Sequence, residues 1–351
     1  MATMRAARFD TATRELTVRD VAIPRPGPGE ALVKVAACGI CHSDLSMMHG
    51  AIPVALPEIT PGHEASGEIA ELGSAAEGWR VGDRVLLAAF RACGTCSACI
   101  GVGALDDCLE PQVMSFAYDG AWAEYVVVPI AALTRVPDGI PMEQAAILAD
   151  AVSTPYAAVV ETGAVRPAES VGIWGLGGVG THLVQIARLA GAAPIIALDP
   201  LASARERALR LGADHALDPA AEGTVEEIRR LTGGRGLDAA FDVVARSSTM
   251  AQADAALAHR GRLVLVGVTP DPVDLGPASA FVTNRHTVSG HLGYRKRHLE
   301  ELVTLVAHGR LDISGSVSAV LPLEEIAEGV GRLERHEGNP VRIVVKPGAV
   351  G

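Results

Sequence analysis

Val171-Gly-Ile-Trp174-Gly175-Leu-Gly177-Gly-Val179-Gly180 is the stretch on which the reading of this chain turns. A short run of strand type leads straight into a Gly-x-Gly-x-x-Gly turn, and an amphipathic stretch follows at once. In that setting each glycine has its own task. Gly175 permits the tight turn, Gly177 lets the backbone approach a pyrophosphate, and Gly180 lets helix and strand pack closely. The helix N-terminus then offers free N–H groups and positive partial charge to an anion. The spacing predicts that helix over Val179–Ala190, with Leu183, Ile186, Ala187 and Ala190 on one face and Gly191 as its C-terminal cap. A second strand, Ile195–Leu198, runs into Asp199. A carboxylate there accepts from both adenosine ribose hydroxyls and repels a 2′-phosphate, so NAD rather than NADP is the expected cofactor. The competing reading is a structural glycine turn beside an ordinary surface Asp.

Working outward, strand candidates recur at His215–Leu217, Ala239–Val244, Leu263–Val266 and Thr287–Ser289. Helical stretches lie near 203–211, 224–231, 249–258, 297–308 and 323–335. Strands alternating with helices predict an α/β unit built on a doubly wound parallel sheet. Upstream the texture differs: short β-type runs such as Ala31–Val35, Val85–Leu87 and Glu124–Val128 stand among dense Pro and Gly. That reads as an irregular, strand-rich domain.

Composition removes several function classes. The 351 residues suit about two domains, and 49% hydrophobic against 20% charged excludes global disorder. A net charge of −11 leaves no sequence-wide basic footprint for nucleic acid or an anionic membrane. Five Phe, three Trp and four Tyr against 38 Gly make a poor stacking surface for bases. No apolar run approaches the ~18 residues of a spanning helix. The opening MATMRAARFD lacks an apolar stretch of signal-peptide length, so an unprocessed, cytoplasmic protein is expected.

The cysteines fall at Cys38, Cys41, Cys93, Cys96, Cys99 and Cys108, all in the first third of the chain. A disulfide framework would staple the whole length and belongs to small secreted domains. Cys93-x2-Cys96-x2-Cys99-x8-Cys108 instead offers four thiolates to one ion. Zn²⁺ takes such a set tetrahedrally in closed, structural sites; an iron–sulfur cluster is the rival. A second constellation is dispersed over Cys41-His42-Ser43-Asp44, Gly62-His63-Glu64 and Asp150. Taken singly, Cys41 could be a buried small hydrophobe, His63 a core histidine and Asp150 a helix cap.

Together these residues resemble the zinc-containing alcohol dehydrogenases of the medium-chain dehydrogenase/reductase superfamily over essentially the whole chain. The motifs that carry the resemblance are Gly39-Ile-Cys41-His-Ser-Asp44, Pro61-Gly-His63-Glu64-Ala-Ser-Gly67 and Gly82-Asp-Arg-Val85. The four-Cys loop, the glycine turn with Asp199, and Gly261-Arg-Leu-Val-Leu-Val-Gly267 follow in the family's order. The resemblance implies a GroES-like catalytic domain from residues 1–153 and 287–351, around a Rossmann NAD-binding domain over 154–286. It implies two zinc ions per chain: a catalytic one on Cys41, His63 and Asp150 with an open fourth position, and a structural one on Cys93, Cys96, Cys99 and Cys108. Glu64 would lie beside the catalytic metal, Ser43 would hydrogen-bond the substrate hydroxyl, and Asp44 would orient His63. Thr154, Val179, Val266 and Val268 match positions that line the nicotinamide, and His42 and Arg342 positions that face the pyrophosphate. Ala89 and Phe90 precede the Cys loop where the family places substrate contacts.

The chain departs from the usual pattern in three places. Asp150 stands where the third metal ligand is often Cys, the last gap of the Cys loop is x8 where x7 is common, and Ser46 replaces a histidine that ends the proton relay in many members. The implied activity is interconversion of an alcohol and an aldehyde or ketone with NAD, by a homo-oligomer of dimer or tetramer size. A polyol or sugar dehydrogenase of the same superfamily is the nearest rival, since its members also vary at the third ligand. A zinc-free quinone or enoyl reductase lacks this ligand set. From another class, a non-enzymatic NAD-binding zinc protein would show no turnover across alcohols and aldehydes.

Overall fold

The structure, a computed structural model, describes residues 2–101 and 108–348. The chain forms two compact units, Val152–Tyr294 and, from both chain ends, Met1–Ala151 with Arg295–Gly351.

The inserted unit is built on six parallel strands. Across the sheet they run His215–Leu217, Ile195–Leu198, Val171–Trp174, Leu237–Asp242, Leu257–Leu265 and Thr287–Gly290. The first strand of this unit in chain order, Val171–Trp174, lies in the middle, and the order reverses beside it. That is the switch point where a doubly wound sheet opens a crevice at its carboxyl edge. Both central strands, Val171–Trp174 and Ile195–Leu198, are buried on every residue. This is why they read as continuous apolar runs and not as alternating ones.

Thr287–Gly290, expected as the strand Thr287–Ser289, pairs with Leu257–Leu265 as the sixth strand, and the compact unit runs on to Tyr294. The strand expected at Leu263–Val266 starts at Leu257, with a register irregularity between Leu257 and Arg262 where it faces Leu237 and Ala239, and the helix before it stops at Ala255. A helix at Ala278–Asn284 went unread because it buries no residue, so no apolar stripe marks it.

The unit made from both chain ends holds a seven-stranded mixed sheet. Its long strand Glu30–Ile40 is flanked by Glu64–Leu72 and Arg342–Lys346, both antiparallel to it. The registers place Gly39 opposite Glu64 and Ile40 opposite Ile343. The end of one strand and the starts of two others thus meet at one place. Trp122 is fully buried there and donates its indole N–H to the Gly39 carbonyl at 3.2 Å. Gly62 turns in the left-handed region at φ +93°, and a Cβ on it would collide with that indole.

A helical run begins at Met142, upstream of Asp150. Met142–Ile147 is α-helical, Leu148–Val152 a π-turn and Ser153–Ala157 α-helical again. Pro155 has no amide N–H to continue the α ladder, and a wider turn ahead of it absorbs the loss. No helix among the described residues is long and apolar enough to cross a membrane.

Replacing Trp122 by Ala should cost about 3–5 kcal/mol of unfolding free energy, the cost of emptying a large buried aromatic site. Urea denaturation measures it, and a loss under about 1 kcal/mol would contradict the packing described.

Candidate active site

The three strand ends deliver the first donor set. Cys41 directly follows Glu30–Ile40 and caps the short helix His42–Met48; His63 directly precedes Glu64–Leu72. Asp44, in the first turn of that helix, reaches back to accept the Cys41 amide N–H at 2.9 Å. Its other oxygen lies 3.3 Å from His63 Nδ1, which leaves Nε2 facing Cys41 and Asp150. Such a carboxylate behind an imidazole fixes the ring and its tautomer for a metal on the opposite nitrogen.

Asp150 enters from the π-turn. Its Oδ2 lies 3.4 Å from Cys41 Sγ and 3.7 Å from His63 Nε2. π-turns are rare and concentrate at functional sites, where they turn a side chain out of helical register. The residue lies inside a helical run, so N-capping does not account for it. The donor atoms of Cys41, His63, Glu64 and Asp150 all fall within 4.8 Å of one another. One thiolate, one neutral imidazole and one carboxylate carry two negative charges, which matches Zn²⁺ in donor chemistry and in charge.

Glu64 is fully buried, and its charge is met by Arg342, 2.6 Å away and 2% exposed. Burial pushes the Glu64 carboxyl up, and the Arg342 guanidinium beside it pulls it back toward the charged form. Burial opposes charge on His63 as well, but Asp44 and Asp150 outweigh it and hold its pKa well above the usual value. A dication among these groups reverses that preference, because a ligating imidazole must be neutral. The resemblance puts Arg342 toward the cofactor pyrophosphate. Its guanidinium lies 2.6 Å from Glu64, with Cys41 Sγ at 3.7 Å and Asp150 Oδ2 at 3.8 Å. It is the counter-ion of the cluster.

Ser43 Oγ stands 3.1 Å from Cys41 Sγ and 3.2 Å from His63 Nε2, within reach of an oxygen bound at the donor set. Two neighbours escaped the sequence reading. Ser115, fully buried at φ +71°, places Oγ 3.4 Å from His63 Nδ1, and the Phe116 ring lies 5.5 Å from the His63 ring. Their only sequence signal is a Ser-Phe pair in a loop. His42 stacks on His336 at 5.6 Å, and His49 pairs with Glu334 at the surface. Ala89 is buried and Phe90 half-buried.

The second donor set is Cys93, Cys96, Cys99 and Cys108, whose sulfurs also lie within 4.8 Å of one another. Backbone N–H groups point at them: Thr95 and Cys96 donate to Cys93 Sγ, Leu109 to Cys96 Sγ, and Cys93 to Cys108 Sγ. The Thr95 hydroxyl with the Thr95 and Cys96 amides holds the Cys93 thiol down to about 6, and the Leu109 and Cys99 amides lower Cys96, while burial pushes the Cys99 thiol up. The donors around Cys93 and Cys96 favour thiolates, the form a closed Cys₄ zinc site requires. None of the six cysteines is in a disulfide.

In the inserted unit the glycine turn sits at the carboxyl end of Val171–Trp174 and opens the helix Gly178–Leu189. Gly175 has φ +89°, and a Cβ on Gly180 would strike the Gly175 carbonyl. Around Gly177 the space is open, so nothing in the protein itself requires glycine there. Asp199, 9% exposed, accepts the amides of Leu176 and Leu201, each at 2.8 Å. Val179 lies in the first turn of the helix, and Val266 and Val268 just beyond the carboxyl end of Leu257–Leu265, on the edge that carries the glycine turn. Val266 is half-buried and Val268 is exposed. The Thr154 carbonyl lies 3.0 Å from His291 Nε2, whose Nδ1 lies 2.8 Å from the Thr162 hydroxyl.

Known proteins share these features. Residues 27–138 match the alcohol dehydrogenase GroES-like domain, and residues 178–308 match the zinc-binding dehydrogenase family. An alcohol dehydrogenase of Geobacillus stearothermophilus is 33% identical over 346 residues, 98% of this chain and 99% of that protein. An NAD-dependent alcohol dehydrogenase of Sulfurisphaera tokodaii is 31% identical over 97% of this chain and all of its own. A putative zinc-binding dehydrogenase from Sinorhizobium meliloti, solved bound to NADP, superposes with a TM-score of 0.91 at 29% identity, covering 99% of this chain and 100% of that one.

If Asp150 is a metal ligand, Asp150→Ala should lose one zinc per chain and turnover together, while Asp150→Cys should keep the metal with altered turnover. Elemental analysis beside an activity assay reads both. Full zinc content in the alanine variant would refute the role.

Proposed function

This chain belongs to the zinc-containing alcohol dehydrogenases of the medium-chain dehydrogenase/reductase superfamily, and we propose that it interconverts an alcohol and an aldehyde or ketone by hydride transfer to or from NAD. The observation that carries the proposal is the convergence of Cys41, His63 and Asp150, with Glu64 neutralised beside them by Arg342. When bound, zinc on these residues supplies Lewis acidity to the substrate oxygen, and NAD supplies the hydride acceptor.

The remaining steps belong to side chains of this chain. Cys41 and Asp150 bring two negative charges, so a dication is compensated without drawing on Glu64. Asp44 holds the His63 ring so that Nε2 alone faces the donor set. Ser43 is placed to accept the substrate hydroxyl proton as it hands its own on toward solvent during oxidation, and to run the same relay backwards during reduction. Phe116 packs against the His63 ring and gives the donor set an apolar neighbour, which suits substrate carbon. Gly177 leaves room for the pyrophosphate, and Asp199 takes the adenosine ribose. Cys93, Cys96, Cys99 and Cys108 hold a structural zinc that stabilises their loop.

Six unpaired cysteines suit a reducing compartment, which supports a cytoplasmic location. Thr287–Gly290 is the outermost strand of its sheet, and a second copy pairing there would make a homo-oligomer.

A panel of primary, secondary, aromatic and polyol alcohols with NAD tests the activity, and turnover of none of them would refute it. Coenzyme choice gives a sharper check. Wild-type protein should prefer NAD in kcat/KM, and Asp199→Ala should narrow the NAD/NADP ratio. A wild-type preference for NADP would overturn the role given to Asp199.

A further inference from the structure

The helix after the second parallel strand, Ala202–Leu211, carries an arginine that no glycine-loop motif includes. Arg207 sends Nη2 to the carbonyl of Leu176, inside the glycine turn, at 2.7 Å. The same carbonyl accepts the Thr181 hydroxyl at 2.9 Å. On the other side of that residue the Leu176 amide donates to Asp199 at 2.8 Å. Leu176 is therefore gripped at both its backbone groups, by the carboxylate that ends the strand and by a cation eight positions further on.

The neighbouring Arg205 strengthens the grip, since its Nη1 donates to the Asp199 carbonyl at 2.6 Å and the Pro200 carbonyl at 2.9 Å. Arg207 is partly buried beside the Asp199 charge; burial disfavours its charged form and Asp199 favours it. A charge-assisted hydrogen bond is about twice as strong as a neutral one, and the planar guanidinium holds its direction. Leu176 lies between Gly175 and Gly177, so fixing its carbonyl fixes the path of the turn on which a pyrophosphate would lie.

We propose that Arg207 is a positioning residue for the dinucleotide, holding the glycine turn in its binding conformation through the Leu176 carbonyl and tying it to the ribose-reading Asp199. This rests on the NAD reading above. The residue touches the loop and not the cofactor, so its contribution lies in preorganisation: a loop already in place does not spend binding energy on becoming ordered.

The test measures Kd for NADH and for ADP-ribose, by fluorescence titration and calorimetry, in wild-type enzyme, Arg207→Ala and Arg207→Lys, with urea midpoints for each. ADP-ribose carries the pyrophosphate and adenosine without the nicotinamide. Arg207→Ala should weaken both ligands by the same factor, about ten-fold or more, and raise the KM for NAD without lowering kcat. Arg207→Lys keeps the charge but loses the fork, so it should weaken both ligands by a smaller factor; it carries the comparison alone if the alanine chain fails to fold. Kd values within two-fold of wild type in the folded variants, whatever their urea midpoints, would overturn the proposal and leave Arg207 a purely structural residue. Wild-type protein that binds neither ligand would instead overturn the dinucleotide reading itself, and the role of Arg207 with it.

Discussion

The ion pair between Glu64 and Arg342 governs the catalytic unit, because both partners are almost completely withdrawn from water. Neither charge survives burial alone: removing one partner of such a pair leaves an uncompensated charge and costs several kcal/mol. The pair therefore locks the start of the strand Arg342–Lys346 to the start of Glu64–Leu72, with Glu30–Ile40 between them. Cys41 and His63 are immediate chain neighbours of these locked ends. The donor set inherits its position from the sheet and not from its own loops. Because Arg342 answers the charge of Glu64, only Cys41 and Asp150 remain to balance a dication.

The same pairing has a topological cost. Arg342 and Cys41 are separated by 301 positions, and the whole inserted unit lies between them. Contacts of such long range form late, after the loop-closure entropy has been met. The inserted unit carries its ladder, its glycine turn and Asp199 within one continuous segment, so its own site depends on local chain alone.

How much could be read beforehand follows the same division. The glycine turn, the strand ending before Asp199 and the four-Cys loop are local patterns, and each could be read from neighbouring residues. The alternation of strands and helices after residue 170 likewise gives the parallel sheet, although Ala278–Asn284 stayed hidden because it buries nothing. Arg342 was legible only by resemblance, and that placed it toward the pyrophosphate; its partner Glu64 is brought near by the sheet register alone. Ser115 and Phe116 carry no motif, and reach His63 through a loop whose course only the fold sets. Asp150 is the intermediate case. Its residue type allowed capping or ligation, and the π-turn ahead of Pro155 that brings it to the donor set shows only once the helical run is seen to start at Met142.

The proposed ligand set is the centre of this account, and anomalous diffraction at the zinc edge from crystals of the zinc-loaded enzyme tests it most directly. The account predicts a zinc peak about 2.3 Å from Cys41 Sγ, about 2.0–2.1 Å from a His63 ring nitrogen and about 2.0–2.2 Å from one Asp150 oxygen. A zinc more than about 3 Å from both Asp150 oxygens, with Glu64 or water in its place, would contradict it.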